Sequence, residues 1–238
     1  MYGSRARLGL IIPSSTTSEP EYTGAVPEDA SVHVARMRLE DTATAETLRE
    51  MLDSVERCGS LLATANVDAI GFACTVGSLL DGPETATDIE RQLSRLTDGP
   101  AVATAAAVDR ALETLGVHTV AVATPYIDDL NDLERAFLEA CGYEVTAIDG
   151  LGLESDLAMG AQPPSRAARQ ARAVDTPDAD CVFISCTNYR TFEIIDDLEA
   201  DLGKPVVSSN QATLWNLLEV AGVEHDRPSL GTLFDRSL

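Results

Sequence analysis

The sequence predicts an α/β protein built from two similar units, each with a parallel β-sheet covered by helices on both faces. Continuous apolar segments alternate with amphipathic segments along the chain, which is typical of parallel sheets that are buried on both faces. Two apolar segments end in Cys-Thr, at Cys74 and at Cys186, and these cysteines lie 112 residues apart. The segments LIIP and VATP, which end at Pro13 and Pro125, have the same spacing. Features repeated at one spacing indicate two copies of one supersecondary unit.

The first unit is expected to contain four strands. They are predicted at RLGLIIP, SVHVARM, VDAIGFAC and, from Pro100, PAVATA. A long helix is predicted over residues 44–62, where apolar side chains recur at helical spacing, and an amphipathic helix is predicted from Asp88.

The second unit repeats this order. Its strands are predicted at HTVAVAT, YEVTAID, DCVFISC and PVVSSN, and its helices at IDDLNDLERAFLEAC and YRTFEIIDDLEADL. The segment that begins at Tyr143 lies 112 residues after its counterpart at Ser31. We assign residues 1–102 and 206–238 to the first unit and residues 103–205 to the second.

Composition narrows the range of partners. The chain has 238 residues and a formal net charge of −22, and Lys204 is its only lysine. Such an acidic surface repels nucleic acids and anionic membranes, so neither is an expected partner. The dispersed acidic residues favour a halophilic source over an ordinary acidic cytosolic protein. No signal peptide or membrane-spanning segment is recognisable, so we expect a cytoplasmic protein.

The five cysteines are scattered and odd in number, which is typical of reduced thiols. No CxxC pair occurs and the histidines are isolated, so no metal site is expected. A free cysteine usually packs as a small apolar residue, and we interpret Cys58, Cys141 and Cys181 in this way.

Cys74 and Cys186 differ because each lies at the carboxyl end of a predicted strand. Ligands of open parallel sheets bind beyond these ends, so two facing units would bring both thiols to one cleft. We expect a helix to begin after each cysteine and to lower the pKa of its thiol. One thiolate could then attack carbon or take a proton while the other thiol supplies a proton on the opposite face. This chemistry needs no metal or organic cofactor.

Four motifs carry a family resemblance: IIPSSTTSEPE, TPY at 124–126, SCTNYRT at 185–191 and LGKPVVSSNQATLW at 202–215. With the paired CT motifs, they resemble the aspartate/glutamate racemase superfamily. The similarity is to its branch of maleate cis–trans isomerases, arylmalonate decarboxylases and ectoine-utilisation proteins. The resemblance implies two flavodoxin-like halves with an active site between them, no cofactor, a small carboxylic-acid substrate and a homodimer.

The resemblance also implies roles for individual residues. Cys74 would add to the substrate double bond, Cys186 would act as the acid and base, and Tyr126 would donate its phenol to a substrate carboxylate. Further contacts to carboxylate oxygens would come from Thr75, Val76, Thr187 and Asn188. A buried tyrosine bonded to backbone remains an equal alternative for Tyr126, and Asn188 could equally be a helix cap.

Two departures from the family pattern affect the substrate end of the site. The family loop PSSNTT reads PSSTTS here, which places Thr16 nearest to the position of an asparagine, and Ser14 precedes it in the same loop. These hydroxyls could also cap a turn. A second family asparagine is replaced by Asp156. A carboxylate there would repel a dianionic substrate unless it is protonated or turned away.

The predicted function is therefore a cofactor-independent isomerase of a small carboxylic or dicarboxylic acid, of the maleate cis–trans kind. A two-base racemase of amino or hydroxy acids would use the same thiols without a covalent adduct. An arylmalonate-type decarboxylase is disfavoured, because that branch has glycine in place of Cys74. An accessory protein that only binds a small acid is the alternative from another class.

Overall fold

The computed structural model describes residues 2–40, 42–224 and 228–238, so His225, one of the isolated histidines, lies outside the described residues. Eight strands occur in this part of the chain. In chain order they are β1 (Ala6–Pro13), β2 (Ala30–Met37), β3 (Ala69–Phe72), β4 (Ala101–Ala103), β5 (Thr119–Thr124), β6 (Glu144–Gly150), β7 (Cys181–Ile184) and β8 (Val206–Ser208).

The strands form two parallel sheets with the same order, β2-β1-β3-β4 and β6-β5-β7-β8. Pairing within the sheets repeats as well. Leu8 of β1 pairs with Ala69 of β3, and Val120 of β5 pairs with Cys181 of β7, so both partners shift by the 112 residues found in the sequence. The prediction of two α/β units with parallel sheets is confirmed.

Helices cover both sheets. Among the described residues they are α1 (Glu19–Ala25), α2 (Ala45–Leu52), α3 (Val55–Ala63), α4 (Thr75–Leu79), α5 (Pro83–Thr97), α6 (Thr104–Thr114), α7 (Asp128–Ala140), α8 (Asp156–Gly160), α9 (Pro164–Val174), α10 (Ile195–Leu202) and α11 (Ser209–Val220). Short 3₁₀ turns occur at Phe192–Ile194, Pro228–Leu230 and Thr232–Asp235. No helix in the described part of the chain has the length and apolarity required to cross a bilayer.

Two predicted helices differ from the structure. The helix expected over residues 44–62 is split into α2 and α3 at Asp53 and Ser54, whose short polar side chains favour helix ends over helix interiors. The helix expected from Tyr189 begins only at Ile195. The backbone N–H groups of Thr191 and Phe192 donate to the Glu21 carboxylate, at 2.7 and 3.0 Å, and this holds the preceding segment as a turn.

The last helix joins the two halves. Although β8 lies in the second sheet, α11 packs against α6 and against β3 and β4 of the first sheet. Its side chains are buried along nearly its whole length, including Trp215. The division into residues 1–102 with 206–238 and residues 103–205 remains our proposal for the two units, with β8 itself paired in the second sheet.

Candidate active site

A small cavity lies where the carboxyl ends of the two sheets meet. In sheets of this strand order, the ends of the two central strands mark the switch point at which ligands bind. The space open to the centre of a water molecule is about 20 Å³, which is room for about one water molecule, so a larger ligand would require the walls to move apart. The walls are formed by Pro13, Thr16, Leu39, Ala43, Leu48, Cys74, Thr75, Val76, Tyr126, Leu130, Asp156, Met159, Cys186 and Thr187.

Backbone contacts between the halves close one side of the cavity. Thr42, in the segment after β2, forms an isolated antiparallel bridge with Ser155. The adjacent amide of Ala43 donates to the carbonyl of Glu154 at 2.9 Å. The segment that carries Leu39 and Ala43 is therefore held over the cavity by the other half of the protein.

Cys74 ends the segment after β3 and is the N-cap residue of α4, as the sequence predicts. The Gly77 N–H donates to its thiol, and a Cβ at position 77 would lie 3.0 Å from the Cys74 Sγ. Glycine therefore permits this close approach of the helix backbone. Burial, with a smaller contribution from the Asp156 carboxyl, nevertheless raises the pKa of the Cys74 thiol to about 12.

Cys186 has a different backbone from Cys74. Its φ is +102°, in the region that favours glycine, and such strain costs of order 1–3 kcal/mol. No helix begins after it, so the expectation of a helix N-terminus at this thiol is wrong. The Asn188 N–H turns back to donate to the Cys186 Sγ at 3.3 Å.

The expectation of lowered thiol pKa values is also wrong for both cysteines. Burial raises the pKa of Cys186 and the Asp156 charge adds to this, while hydrogen bonds from the Asn188 amide and the Tyr126 hydroxyl lower it. Desolvation can shift a buried group by several pKa units, whereas a helix terminus contributes about 0.3–1 kcal/mol. Desolvation therefore determines that the pKa values of both thiols are raised.

Ser209 connects the two cysteine segments. The Thr75 hydroxyl donates to the Ser209 Oγ at 2.8 Å, and the Cys186 N–H donates to the same oxygen at 3.1 Å. From the sequence, Ser209 is expected only to cap a helix. The cap is the preceding residue, Ser208, whose side chain bonds the Gln211 N–H.

Tyr126 lines the cavity and lies in front of a buried polar chain. Its hydroxyl is 3.5 Å from the Ser185 Oγ, which donates to the Glu134 carboxylate at 2.7 Å. Glu134 lies on α7 and is 1% exposed, and burial raises its pKa to about 7. Neither Glu134 nor Ser185 was expected at the site, because they lie 51 residues apart and meet only in the folded chain.

Asp156 begins α8 and its carboxyl faces the cavity. The hydroxyls of Ser15 and Thr16 donate to its Oδ2 at 2.6 and 3.3 Å. Asn188 lies behind it, donating its side-chain amide to the Asp156 carbonyl at 2.8 Å. Thr16 and Asp156, which were both predicted to contact the substrate, are thus in contact with each other, and their role toward a substrate stays a prediction.

Two of the predicted contact residues lie outside the cavity wall. Ser14 is exposed, and its hydroxyl binds the backbone N–H and carbonyl of Leu39, so it anchors that segment instead of facing a ligand. Asn188 is buried, and its side chain is engaged by Asp156 and by the Thr17 N–H. The remaining predicted residues line the cavity together: Thr16, Cys74, Thr75, Val76, Tyr126, Asp156, Cys186 and Thr187.

Within the described residues, no group of three or more His, Cys, Asp or Glu side chains could hold a metal ion. The groups that the cavity offers are two thiols, a phenol, three threonine hydroxyls and one carboxyl. Such a set can donate and accept protons on two sides of a small acid, and either thiol can form a bond to carbon.

Comparison with known proteins places this chemistry in a family. A family model described as arylmalonate decarboxylase matches residues 8–234. The maleate isomerase of Geobacillus stearothermophilus is 30% identical over 242 aligned residues, covering 95% of this chain and 96% of that protein. A variant of the maleate isomerase of Pseudomonas putida S16, solved with maleate, superposes with a TM-score of 0.91 at 29% identity, covering 96% of this chain and 97% of that chain.

A further similar structure shows a reaction intermediate. It is a cysteine-to-serine variant of the Nocardia farcinica maleate cis–trans isomerase with a covalently bound succinylcysteine, and it superposes with a TM-score of 0.91 at 26% identity. The alignment covers 96% of this chain and 98% of that chain. Since the family model spans nearly the whole sequence and the isomerase relatives match from end to end, this chain belongs to the arylmalonate decarboxylase family of enzymes, with maleate isomerases among its relatives.

Proposed function

We propose that this enzyme converts a small cis-unsaturated carboxylic acid into its trans isomer, with Cys74 as the nucleophile and Cys186 as the acid and base. The observation that carries this proposal is the presence of both thiols, from equivalent positions of the two units, in the wall of one small cavity. The succinylcysteine in the Nocardia farcinica relative supports a covalent route.

The atoms balance with both thiols neutral at rest. The Cys74 sulfur bonds to one alkene carbon, and Cys186 delivers its proton to the other carbon while it regains a proton from the Cys74 thiol. The former double bond is then a single bond and rotates. Cys186 removes a proton from the same carbon, the C–S bond breaks, and the electron pair restores the double bond in the trans form, with the proton returned to Cys74.

The surrounding groups would orient the acid. Thr75 and Val76 lie at the start of α4, beside Cys74, and Thr187 follows Cys186, so both thiols are flanked by hydrogen-bonding groups. On substrate binding, Tyr126 would redirect the hydrogen bond that its hydroxyl donates to Cys186 onto a substrate carboxylate, since burial holds the pKa of Tyr126 well above the ordinary value and keeps the phenol protonated.

The test is proton NMR of the enzyme with maleate and, separately, with its half-amide maleamate. We expect the olefinic signals of at least one trans product with the native enzyme, and a loss of at least about 1000-fold in Cys74→Ser and Cys186→Ser. Cys141→Ser is the matched control, because Cys141 is half-buried at the end of α7 and outside the cavity. Conversion of neither compound by folded enzyme would remove the isomerase proposal.

Intact-mass analysis separates the isomerase from a racemase that uses the same thiols. In Cys186→Ser the covalent adduct on Cys74 should accumulate, with a mass increase equal to that of the substrate. A racemase would exchange the α-hydrogen of its substrate with solvent and form no adduct, and a protein that only binds the acid would do neither.

We further propose a high-salt cytoplasm as the setting and a homodimer as the active form. The net charge of −22 with a single lysine supports the first, and family resemblance supports the second. Activity that rises with KCl up to molar concentrations and a light-scattering mass near twice that of the chain are the expected results.

A further inference from the structure

Asp156 makes its part of the cavity wall unfavourable for binding a second carboxylate of the substrate. The side chain of Asp156 is a carboxyl group, and the residue is 6% exposed. The other polar groups in the cavity wall are those proposed to bind a substrate carboxylate. An ionised carboxylate has acceptor oxygens only, so two carboxylates in contact offer no hydrogen bond to each other. The Asp156 carboxyl also lies close to the reacting groups, since after burial it contributes to the raised pKa of both Cys74 and Cys186.

The hydroxyl groups beside Asp156 do not compensate for this charge toward a substrate. Ser15 and Thr16 both donate to the same Asp156 oxygen, at 2.6 and 3.3 Å. A hydroxyl has one proton to donate, so these two donors are used within the protein. A group of the substrate that reaches this wall meets acceptor oxygens.

The part of the cavity wall near Asp156 is apolar, and this strengthens the interaction between Asp156 and any charged group of a substrate. Leu39, Ala43, Leu48 and Met159 line the same cavity and are buried. Interactions between charges weaken in water and strengthen in such surroundings, for repulsion as well as attraction. A neutral group that donates a hydrogen bond fits this wall better than an anion.

We propose, building on the isomerase function above, that Asp156 is ionised and selects a cis-unsaturated acid with one carboxylate and a hydrogen-bond donor at its other end, of which maleamate is the simplest case. The carboxylate is bound by the hydroxyl and amide groups beside the thiols. The donor, an amide NH₂ in maleamate, bonds to the Asp156 carboxylate. Maleate, with a second carboxylate in that place, is a poor substrate.

The kinetic test compares kcat/KM for maleamate and maleate at pH 8. The native enzyme should prefer maleamate by about 100-fold or more, because like charges in contact cost several kcal/mol. Asp156→Asn keeps an acceptor for Ser15 and Thr16, and should bring the two substrates within about 10-fold by improving maleate. Asp53→Asn removes the same charge from an exposed position between α2 and α3, and should leave the ratio unchanged.

A binding measurement separates this inference from the isomerase proposal. Calorimetry of the Cys74→Ser variant with the saturated analogues succinamate and succinate needs no turnover. Tighter binding of succinamate, lost in the Cys74→Ser variant that also carries Asp156→Asn, supports the inference even if no compound is isomerised. Turnover of maleate equal to that of maleamate, or succinate bound as tightly as succinamate, would overturn it and leave the isomerase proposal standing.

Discussion

Replacing Glu134 with glutamine should stabilise the protein at alkaline pH and have little effect in acid. Glu134 is 1% exposed, and burial raises its pKa from 4.5 to about 7. A carboxyl whose pKa is raised on folding binds its proton more tightly in the folded state. Stability therefore falls as pH rises from the unfolded pKa to the folded one.

The magnitude follows from the two pKa values. Their difference, about 2.5, corresponds to about 3 kcal/mol of lost stability above pH 7, of which about 1 kcal/mol is already present at pH 5. Glutamine cannot ionise and still accepts a hydrogen bond from Ser185. Relative to the native protein, Glu134→Gln should therefore gain at least about 2 kcal/mol in free energy of unfolding between pH 5 and pH 8.

The assay is urea unfolding of both proteins at pH 5 and pH 8 and one KCl concentration. Any pH-independent cost of the new amide group cancels when the two pH values are compared. Glu139→Gln is the matched control on the same helix, because its side chain is 55% exposed and its effect should be equal at both pH values. An advantage of Glu134→Gln that does not change with pH would refute the reasoning.

Three further predictions follow from the site contacts. Ser209→Ala removes the acceptor shared by Thr75 and the Cys186 N–H, and should cost about 1–3 kcal/mol in chemical unfolding with at least a 10-fold loss of activity. Glu21→Ala removes the acceptor of two backbone N–H groups in the turn after Cys186, and should lower kcat more than a control at exposed Glu193 does. Alkylation of native Cys74 by iodoacetamide at pH 8 should be at least about 100-fold slower than that of a free thiol, because only a small fraction of Cys74 is thiolate. Rapid labelling of Cys74, followed by mass spectrometry, would contradict the raised pKa.

The fold could be predicted closely because the strands are continuous apolar segments. β3 and β7 are buried at every position, so their apolar composition is enough to predict that helices cover both faces of each sheet. The helix α9 was not predicted, since RAARQARAV is rich in alanine and arginine and presents a weak apolar pattern. The split between α2 and α3 was missed because the apolar spacing continues past Asp53 and Ser54.

The positions of the two thiols could be predicted from the sequence, but most of the residues that contact them could not. The repeat and the strand-end position predict that Cys74 and Cys186 meet, and both line one cavity in the structure. Ser209 contacts Cys186, and Glu134 contacts Ser185. Both pairs are far apart in the sequence, so no local sequence pattern could predict these contacts. The direction of the thiol pKa values depends on burial of the whole cavity, which sequence position does not measure.

The repeat brings the two thiols to one cavity, and the positions at which the two units differ give the thiols different surroundings. Ser14 and Tyr126 follow the equivalent prolines of the two units, yet Ser14 turns outward to the backbone of Leu39 and Tyr126 turns inward to Cys186. A nearby phenol donates a hydrogen bond to Cys186, whereas Cys74 receives its hydrogen bond from the amide of Gly77. A perfectly symmetric site would make the thiols interchangeable. The addition and proton transfer that we propose require the two thiols to differ, and the differences at these two positions are consistent with that requirement.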